Sequence, residues 1–580
     1  MSPLKRLLLY IARYKMKLAL GMLCLLSANL FKAVVPAVLQ QWMDTLTQGI
    51  SHSLLLRYSA TVIAVAIIQS GFTFAQEGLL LGTARHVERD IKNDFYAHLQ
   101  KLPLEFFQRN QTGELMARAT NDMSAAVNAS TEAFMYSANT IVALMIIVPL
   151  MARLSWRLTV LAFTPLLLVI IATLVLQKPM RARFEKVQES FGRISARVQE
   201  ALWAARTVRA YTQEHAELES FRRISQQYVS DNLQRTRLSS LLYPLLQFFV
   251  GLSFIAVLWY GGDLTVSKNL SIGQFLEFIL YLGYVAWPMH VLGWELTVLQ
   301  RGMVSMGRVD SILALQPAIH DSPCPLDIRG ILGSIEFRNV TFKYKETDKP
   351  ALDGISFKIN PGQTVGLIGA IGCGKSTLIN LIPRLLEPSF GEILIDGCPV
   401  RQIPLKVLRS AVGYVPQETF LFSDTVAGNI AFANQDAVQQ EIERAATDAG
   451  IASDIAAFPK GYQTLVGERG VTLSGGQKQR MSVARAILSP PAILLLDDAL
   501  SSVDSYTEEN VLARLRKRMQ GKTCLMSSHR ISTLKSVGLI LVLHEGHIVE
   551  QGTHDELLAA GGLYAEMHMM QLLDEDLAAS

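Results

Sequence analysis

Residues 158–176 run for nineteen positions without a charge, between Arg157 and Lys178. A helix of that length crosses a hydrocarbon core of about 30 Å. Inside a bilayer only helices and closed barrels satisfy their own backbone polar groups, so this stretch commits the chain to a membrane fold. Further apolar blocks lie at about 17–43, 54–82, 131–152, 240–262 and 273–300. They contain more polar residues, as helices facing one another or a water-filled cavity do. The count is six spans, or five with one segment at the interface. Beyond about residue 330 the pattern changes to alternating strand-like and helix-like segments.

Composition agrees with this division. Half of the 580 residues are hydrophobic and 18% are charged, and the mean hydropathy is +0.26. The length exceeds what one core supports, so at least two domains are expected. A net charge of +4 is too small to argue for a nucleic-acid partner. The cysteines (Cys24, Cys324, Cys373, Cys398, Cys524) show no CxxC pair and no zinc spacing. They read as reduced cytosolic thiols.

The segments at about 83–125 and 178–239 are long and basic, with Arg181, Arg183, Lys186, Arg193, Arg197, Arg206 and Arg209 in the second. The positive-inside rule makes them cytoplasmic, and they are expected to form helices reaching well beyond the bilayer. The short connections at 44–53 and 262–272 then face outward. Arg153 and Arg157 fall in a turn that should also be external, where only interfacial snorkelling accommodates them. Near the N-terminus Lys5-Arg6 precedes an apolar run, but no A-x-A site follows and Arg13, Lys15 and Lys17 interrupt it. An amphipathic helix at the inner interface, leading into the first span, is the expectation.

In the soluble half, 335–344 alternates as a strand and 364–369 is an apolar run. Gly369-Ala370-Ile371-Gly372-Cys373-Gly374-Lys375-Ser376 follows, and 377–386 continues as a helix. Strand, glycine loop and helix give the context that a P-loop requires. Its glycines turn backbone N–H groups toward phosphates, Lys375 reaches the β/γ-phosphates, and the Ser376 hydroxyl is a ligand for Mg²⁺. Cys373 places a thiol in this site, which predicts sensitivity to thiol reagents. The buried-strand run Ile493-Leu494-Leu495-Leu496-Asp497 ends in a carboxylate suited to hold Mg²⁺ through water.

Between these lies Leu473-Ser474-Gly475-Gly476-Gln477, which resembles the signature of ATP-binding-cassette (ABC) proteins. The resemblance covers essentially the whole chain, spans then cassette, and points to bacterial multidrug-resistance-like exporter half-transporters. It implies ATP and Mg²⁺ as cofactors. It gives Gly369, Ala370, Ile371, Gly372, Cys373, Gly374, Lys375, Ser376 and Thr377 to the phosphates, and Tyr344 to the adenine ring. Gln417, in Tyr-Val-Pro-Gln, resembles the Q-loop glutamine at Mg²⁺. Ser501-Ser502-Val503-Asp504 resembles the D-loop, and His529, in Ser-Ser-His-Arg, the switch histidine on the γ-phosphate. Glu468-Arg469-Gly470 resembles a segment that contacts coupling helices. The first coupling helix is expected at Thr112-Gly113-Glu114-Leu115-Met116-Ala117-Arg118 and the second near 199–211. In the family, Ser474, Gly475, Gly476 and Gln477 of one cassette close over ATP held by another, so a second half-transporter is implied as partner.

One position departs from the family pattern. Active cassettes place Glu after the Walker B Asp to orient the attacking water, whereas this chain has Asp498. The side chain is one methylene shorter, a withdrawal of about 1.5 Å, and a misplacement near 1 Å costs ~100-fold in rate. Its own site is therefore expected to bind ATP and hydrolyse slowly, while its intact signature serves a partner. A heterodimer is favoured over a homodimer.

The expected architecture is a six-span α-helical membrane domain (1–315) with two cytoplasmic coupling helices, a linker (316–333), and an α/β P-loop nucleotide-binding domain (334–580). The implied function is ATP-driven export of small amphipathic compounds across the cytoplasmic membrane, with both termini and the cassette in the cytosol. Polar and aromatic residues of the spans, among them Glu77, Glu132, Glu277, His290 and Glu295 beside Phe74, Phe248, Trp259, Trp287 and Trp294, are substrate-site candidates. A lipid flippase, a siderophore importer on the same fold and a nucleotide-gated channel share the motifs and stay open.

Overall fold

The computed structural model describes residues 3–579, apart from 47–51, 329, 346, 348, 468–469 and 471–472. Glu468 and Arg469 thus lie outside the described residues, as do the side chains of Trp287, His290 and Trp294. The chain forms two compact units, Met1–Gln100 with Gln111–Leu315, and Lys101–Asn110 with Gln316–Ser580.

The first unit is helical. After α1 (Pro3–Ala12) come α2 (Lys15–Leu46), α3 (His52–Leu99), α5 (Thr112–Ala117), α6 (Met123–Asn128), α7 (Phe134–Leu154), α8 (Trp156–Trp203), α9 (Ala205–Ala210), α10 (Glu214–Val266) and α11 (Ile272–Leu313), while α4 (Leu104–Arg109) belongs to the second unit. Among the described residues five helices, α2, α3, α7, α8 and α10, are long and apolar enough to cross a membrane; in α11 the apolar described stretch is the shorter Ile272–Ala286. Single π-turns at Arg118–Asp122 and Ala129–Ala133 interrupt the path from α5 to α7.

Helices α8 and α10 run antiparallel along much of their length. Ser253 Oγ donates to Ala162 O (2.6 Å), Ser190 Oγ to Asp231 Oδ2 (2.6 Å), and Arg197 pairs with Glu217 at 2.7 Å. From Ala162 to Arg197 this register covers roughly 50 Å at 1.5 Å per residue, well beyond a hydrocarbon core. A buried seam around Leu158, Ala162, Val169, Val257, Phe278 and Tyr281 joins α7, α8, α10 and α11. At the outer end of α11, Asp44 of α2 accepts from Ser271 Oγ and Gly273 N, both at 2.9 Å. The turn before α8 gives a setting for Arg157, one of the basic pair. Ser155 caps the helix through Leu158 N, and the Arg157 guanidinium lies 5.7 Å from the ring centroid of the exposed Trp156.

The second unit contains two sheets. An antiparallel sheet has the order β2-β1-β4-β5, from β1 (Ile335–Phe342), β2 (Leu352–Ile359), β4 (Phe390–Ile395) and β5 (Cys398–Pro399). The larger sheet has the order β10-β9-β3-β8-β7-β6, from β3 (Thr364–Gly369), β6 (Val412–Val415), β7 (Ile493–Asp497), β8 (Thr523–Ser527), β9 (Leu539–His544) and β10 (His547–Gly552). All neighbours in it are parallel except β10. Its central strands are buried on both faces, which is why they read as unbroken apolar runs. Helices α12 (Lys375–Leu381), α13 (Leu405–Ser410), α14 (Val426–Ile430), α15 (Gln439–Asp448), α16 (Ala452–Ala456), α17 (Gly475–Ile487), α18 (Ser505–Arg518), α19 (Ile531–Leu534), α20 (His554–Ala560) and α21 (Leu563–Ala579) complete the unit. The helix expected over 377–386 begins at Lys375 and stops at Leu381. Pro383 has no N–H to continue the ladder, and Arg384 turns to φ +50°.

Two boundaries differ from the sequence reading. Residues 316–333 are not a free linker: Leu405 N donates to Asp321 Oδ1 (2.7 Å), and Leu326 N to Gln402 O (3.0 Å). The loop element that groups with the cassette unit is Lys101–Asn110, carrying α4, whereas Thr112 onward belongs to the helical unit. The Thr-Gly pair is a conspicuous cap signal, and it drew attention from the Pro103-initiated turn just before it, where Phe106 and Phe107 stack edge to face.

Candidate functional site

In a parallel sheet, ligands collect beyond the carboxyl ends of the strands. Four adjacent strands of the larger sheet end on the residues singled out by sequence: β3 on the P-loop, β8 before His529, β7 on Asp497, and β6 two residues before Gln417. The motifs lie up to 160 residues apart in the chain. Strand order brings them to one edge.

The glycine loop is fixed by sterics. Gly369, Gly372 and Gly374 have φ of +156°, +83° and +108°. A Cβ on Gly369 would lie 2.2 Å from Leu543 O, and one on Gly374 2.6 Å from Ala351 O. Lys375 is 7% exposed, and its Nζ donates to Gly369 O (2.7 Å) and Ala370 O (2.9 Å). The ammonium thus folds back on the loop whose phosphates it would meet. Ile371 points outward, 91% exposed. Cys373 does the reverse: it is buried, with Sγ 3.8 Å from Lys375 Nζ. The thiol reagents expected to find it would meet the exposed Cys324 first. Burial pushes the Cys524 thiol up to about 12, which leaves it inert. Ser376 and Thr377 stand in the first turn of α12. Thr377 Oγ1 lies 3.0 Å from Tyr344 Oη, tying the candidate adenine platform to the loop.

Asp497 is buried, and its Oδ1 accepts from Ser527 Oγ at 2.8 Å. Asp498 N donates to Ser527 Oγ (3.0 Å) and Ser527 O (3.2 Å). Its backbone is held at φ +48°, a region that Asp tolerates better than most side chains. Its Oδ2 lies 3.8 Å from His529 Nε2, so the candidate base and switch are neighbours. Gln417 is exposed after β6, and the strand end before it is pinned by Tyr414 Oη donating to Asn380 Oδ1 (2.9 Å). Burial raises the Tyr414 phenol above its ordinary value, so it remains a donor.

The signature segment makes a different set of contacts. Ser474 caps α17 in a capping box with Gln477. Gln477 Nε2 donates to Asp454 Oδ1 (2.9 Å), and Arg480 pairs with the same carboxylate at 2.9 Å. Gly475 and Gly476 face the D-loop, where a Cβ on either would come within 3.2 Å of Ser502. The hydrogen bonds of Ser474 and Gln477 run to each other and to Asp454, whereas those of the P-loop run to its own carbonyls and to Tyr344. Asp504 caps α18 by accepting from Thr507 N (2.9 Å), and that bond holds its carboxyl below the ordinary range.

Four residues that the sequence reading did not single out join these parts. Ser527 links the two aspartates. Gln479 bonds Ser501 Oγ (3.0 Å) and Ser502 N (2.9 Å), coupling the signature helix to the D-loop. Glu508 is buried and accepts from Arg530 and Thr533, each at 2.6 Å, while Arg530 also reaches Val503 O (3.2 Å). Gln571 of α21 donates to His529 O (2.5 Å) and accepts from Ile531 N (2.9 Å), which fixes the backbone on both sides of Arg530. Ser527 stood in view inside Ser-Ser-His-Arg. Gln571, 42 residues past His529, had no local signal.

Each such bond contributes about 1 kcal/mol net. Gln571→Ala is therefore expected to lower kcat for ATP by roughly three- to tenfold with little change in KM, because backbone position and not nucleotide contact is lost. Gln571→Glu, which still accepts from Ile531 N but cannot donate, should fall between; equal kcat for all three chains would contradict this.

Comparison with known proteins gives a consistent result. The family model described as the ABC transporter transmembrane region matches residues 18–289, and that described as ABC transporter matches 352–501. The chain is 36% identical over 577 residues to the probable multidrug resistance ABC transporter ATP-binding/permease protein YheI of Bacillus subtilis, covering 99% of this chain and 98% of that one. To the multidrug resistance-like ATP-binding protein MdlA of Escherichia coli it is 34% identical, covering 97% and 94%. To the ATP-dependent lipid A-core flippase of Syntrophus aciditrophicus it is 32% identical, covering 99% and 95%. Among solved structures, a bacterial Atm1-family ABC exporter with ATP bound superposes with a TM-score of 0.81 at 28% identity, over 97% of this chain and 99% of that one. The cassette hydrolyses ATP in a cycle coupled to transport, and the helical half makes the chain a multi-pass membrane protein with its cassette in the cytosol. With both halves matched over nearly their whole length, the chain belongs to the ABC transporter family, as an exporter half-transporter.

Proposed function

We propose that this chain is the slower-hydrolysing half of a heterodimeric exporter of hydrophobic or amphipathic compounds. The observation that carries the reading is Asp498. Its backbone is pinned to Ser527, so a carboxylate one methylene short has no slack by which to reach an attacking water. Lys375 and the loop amides would hold the triphosphate, Tyr344 the adenine, and His529 the γ-phosphate. Ser376, Asp497 and Gln417 would hold Mg²⁺. All three are oxygen donors, the set that this ion selects. ATP bound here would be completed by a partner's signature, and Ser474, Gly475, Gly476 and Gln477 of this chain would complete the partner's site.

In this mechanism ATP acts as a ligand with different affinity for two states, and joining of the cassettes opens the helical unit outward. The purified chain alone is expected to hydrolyse ATP weakly. Co-expression with a half-transporter carrying Glu after its Walker B Asp should raise the rate by about tenfold or more. Robust turnover by the isolated chain would contradict the asymmetric pair.

The names of two relatives favour drug-like substrates, and that of a third favours lipid flipping as the second reading. A panel of lipids and amphipathic drugs, scored by stimulation of ATPase activity, separates the two. Buried Glu277 and Glu295 fit recognition from within the helical unit, whereas Phe74, Phe248 and Trp259 are 82%, 63% and 79% exposed on the chain's own surface.

A further inference from the structure

Under α1 the helical unit forms an open-sided apolar slot of about 330 Å³. Leu7 and Ile11 of α1, Met22 of α2, Leu80 of α3, Met135 of α7 and Met306 of α11 line it. Among the described residues no charged side chain lines it. The hydroxyls on its wall, Thr83 and Thr131, are both spent on their own helices, donating to Leu79 O and Val127 O at 2.7 Å. Among the described residues the cavity wall therefore offers a ligand no free hydrogen-bond donor. An apolar slot of this kind gives water no polar partner, and left empty its walls forfeit dispersion contacts. Its natural filling is hydrocarbon.

The rim has the opposite character. The first 43 residues contain six Lys or Arg and no Asp or Glu. Arg6 is paired with Asp310 at 2.5 Å, and Arg13 lies 3.9 Å from Asp90 and Asp94. Tyr10 and Tyr14 donate to Asp94 and Asp90, both at 2.7 Å, so α1 is latched on its polar side. Lys15 and Lys17 are exposed, and they stand one to four residues before Leu18 and Ala19, which line the cavity. Two cations at the cytoplasmic mouth of an apolar slot match the chemistry of an acidic lipid.

We propose that this cavity is a site for one anionic phospholipid of the cytoplasmic leaflet, with an acyl chain inside and the phosphate headgroup on Lys15 and Lys17. The site is separate from the ATP machinery and does not depend on the choice of transported substrate. A lipid seated there would hold α1 against α2 and α11 from its apolar side, as the tyrosine and arginine bonds do from the polar side.

The test uses the full-length protein in nanodiscs containing phosphatidylglycerol or phosphatidylcholine with a diazirine in the acyl chain, followed by peptide mapping after illumination. Phosphatidylglycerol should label peptides containing Met22, Met135 and Met306 about fivefold more than phosphatidylcholine does, and more than the outward-facing Ile171 and Val175 of α8. Lys15→Glu with Lys17→Glu should abolish the headgroup preference, and Ala19→Trp should reduce the labelling by filling the slot from its rim. Both variants should retain basal ATPase activity, and the surface lysine pair keeps the test decisive if Ala19→Trp fails to fold. Labelling equal to that of Ile171 and Val175, labelling indifferent to headgroup, or displacement of the label by a transported amphiphile would each overturn the proposal.

Discussion

Asp498→Glu raises ATP turnover by the chain on its own by about tenfold or more, and toward the rate of a site with full reach. The expectation rests on how Asp498 is held. Its N–H is bonded to both oxygens of Ser527, and β8 fixes that residue within a fully buried strand. The missing methylene cannot be recovered by moving the backbone. His529 Nε2, 3.8 Å from the Asp498 carboxylate, marks the side on which the longer arm would extend. The same replacement should slightly lower stability, by up to ~1 kcal/mol, because Glu is less comfortable than Asp at φ +48°. Single-turnover kinetics and a thermal melt on the same sample check both signs. A rate unchanged within twofold would show that reach is not what limits this site.

Lys375→Met removes hydrolysis almost entirely, by a factor on the order of 100 to 1,000, the usual cost of deleting one preorganised donor at a site of developing charge. In the structure the ammonium bonds Gly369 O and Ala370 O and is nearly buried. The methionine fills similar space but leaves both carbonyls without that donor, at a cost of ~1–3 kcal/mol. Nucleotide-dependent stabilisation, which follows RT ln(1 + [L]/Kd), should shrink in parallel. An unshifted ATP-induced rise in Tm would mean that Lys375 does not meet the phosphates. Loss of binding with a stable fold is the expected result.

The motifs were legible because each is a local solution to a local problem. Gly369, Gly372 and Gly374 adopt positive φ within six residues, and two of them admit no Cβ, so the loop announces itself in sequence. The strand before Asp497 reads as an apolar run because it is buried on both faces. Features that depend on distant partners were not legible. The grouping of Lys101–Asn110 with the cassette unit had no local signal, because it is decided by contacts with residues far along the chain. The helix after the P-loop ended early at Pro383, a stop signal that the apolar periodicity around it masked.

Sequence alone determined that the first half crosses a membrane, that the second half is an ATP-binding cassette with a glycine loop after its strand, and that the residue after Asp497 is Asp and not Glu. Each follows from what a short stretch of backbone or one side chain can do. Tertiary structure decided the rest: strand order set Lys375, Gln417, Asp497 and His529 along one sheet edge, Ser527 joined the two aspartates, and Gln571 reached back 42 residues to the backbone of His529. It also decided that an apolar slot opens beneath α1 close in the chain to two exposed lysines. Contacts between residues far apart in a chain carry no periodicity and no local signature, and only folding brings them within hydrogen-bond reach.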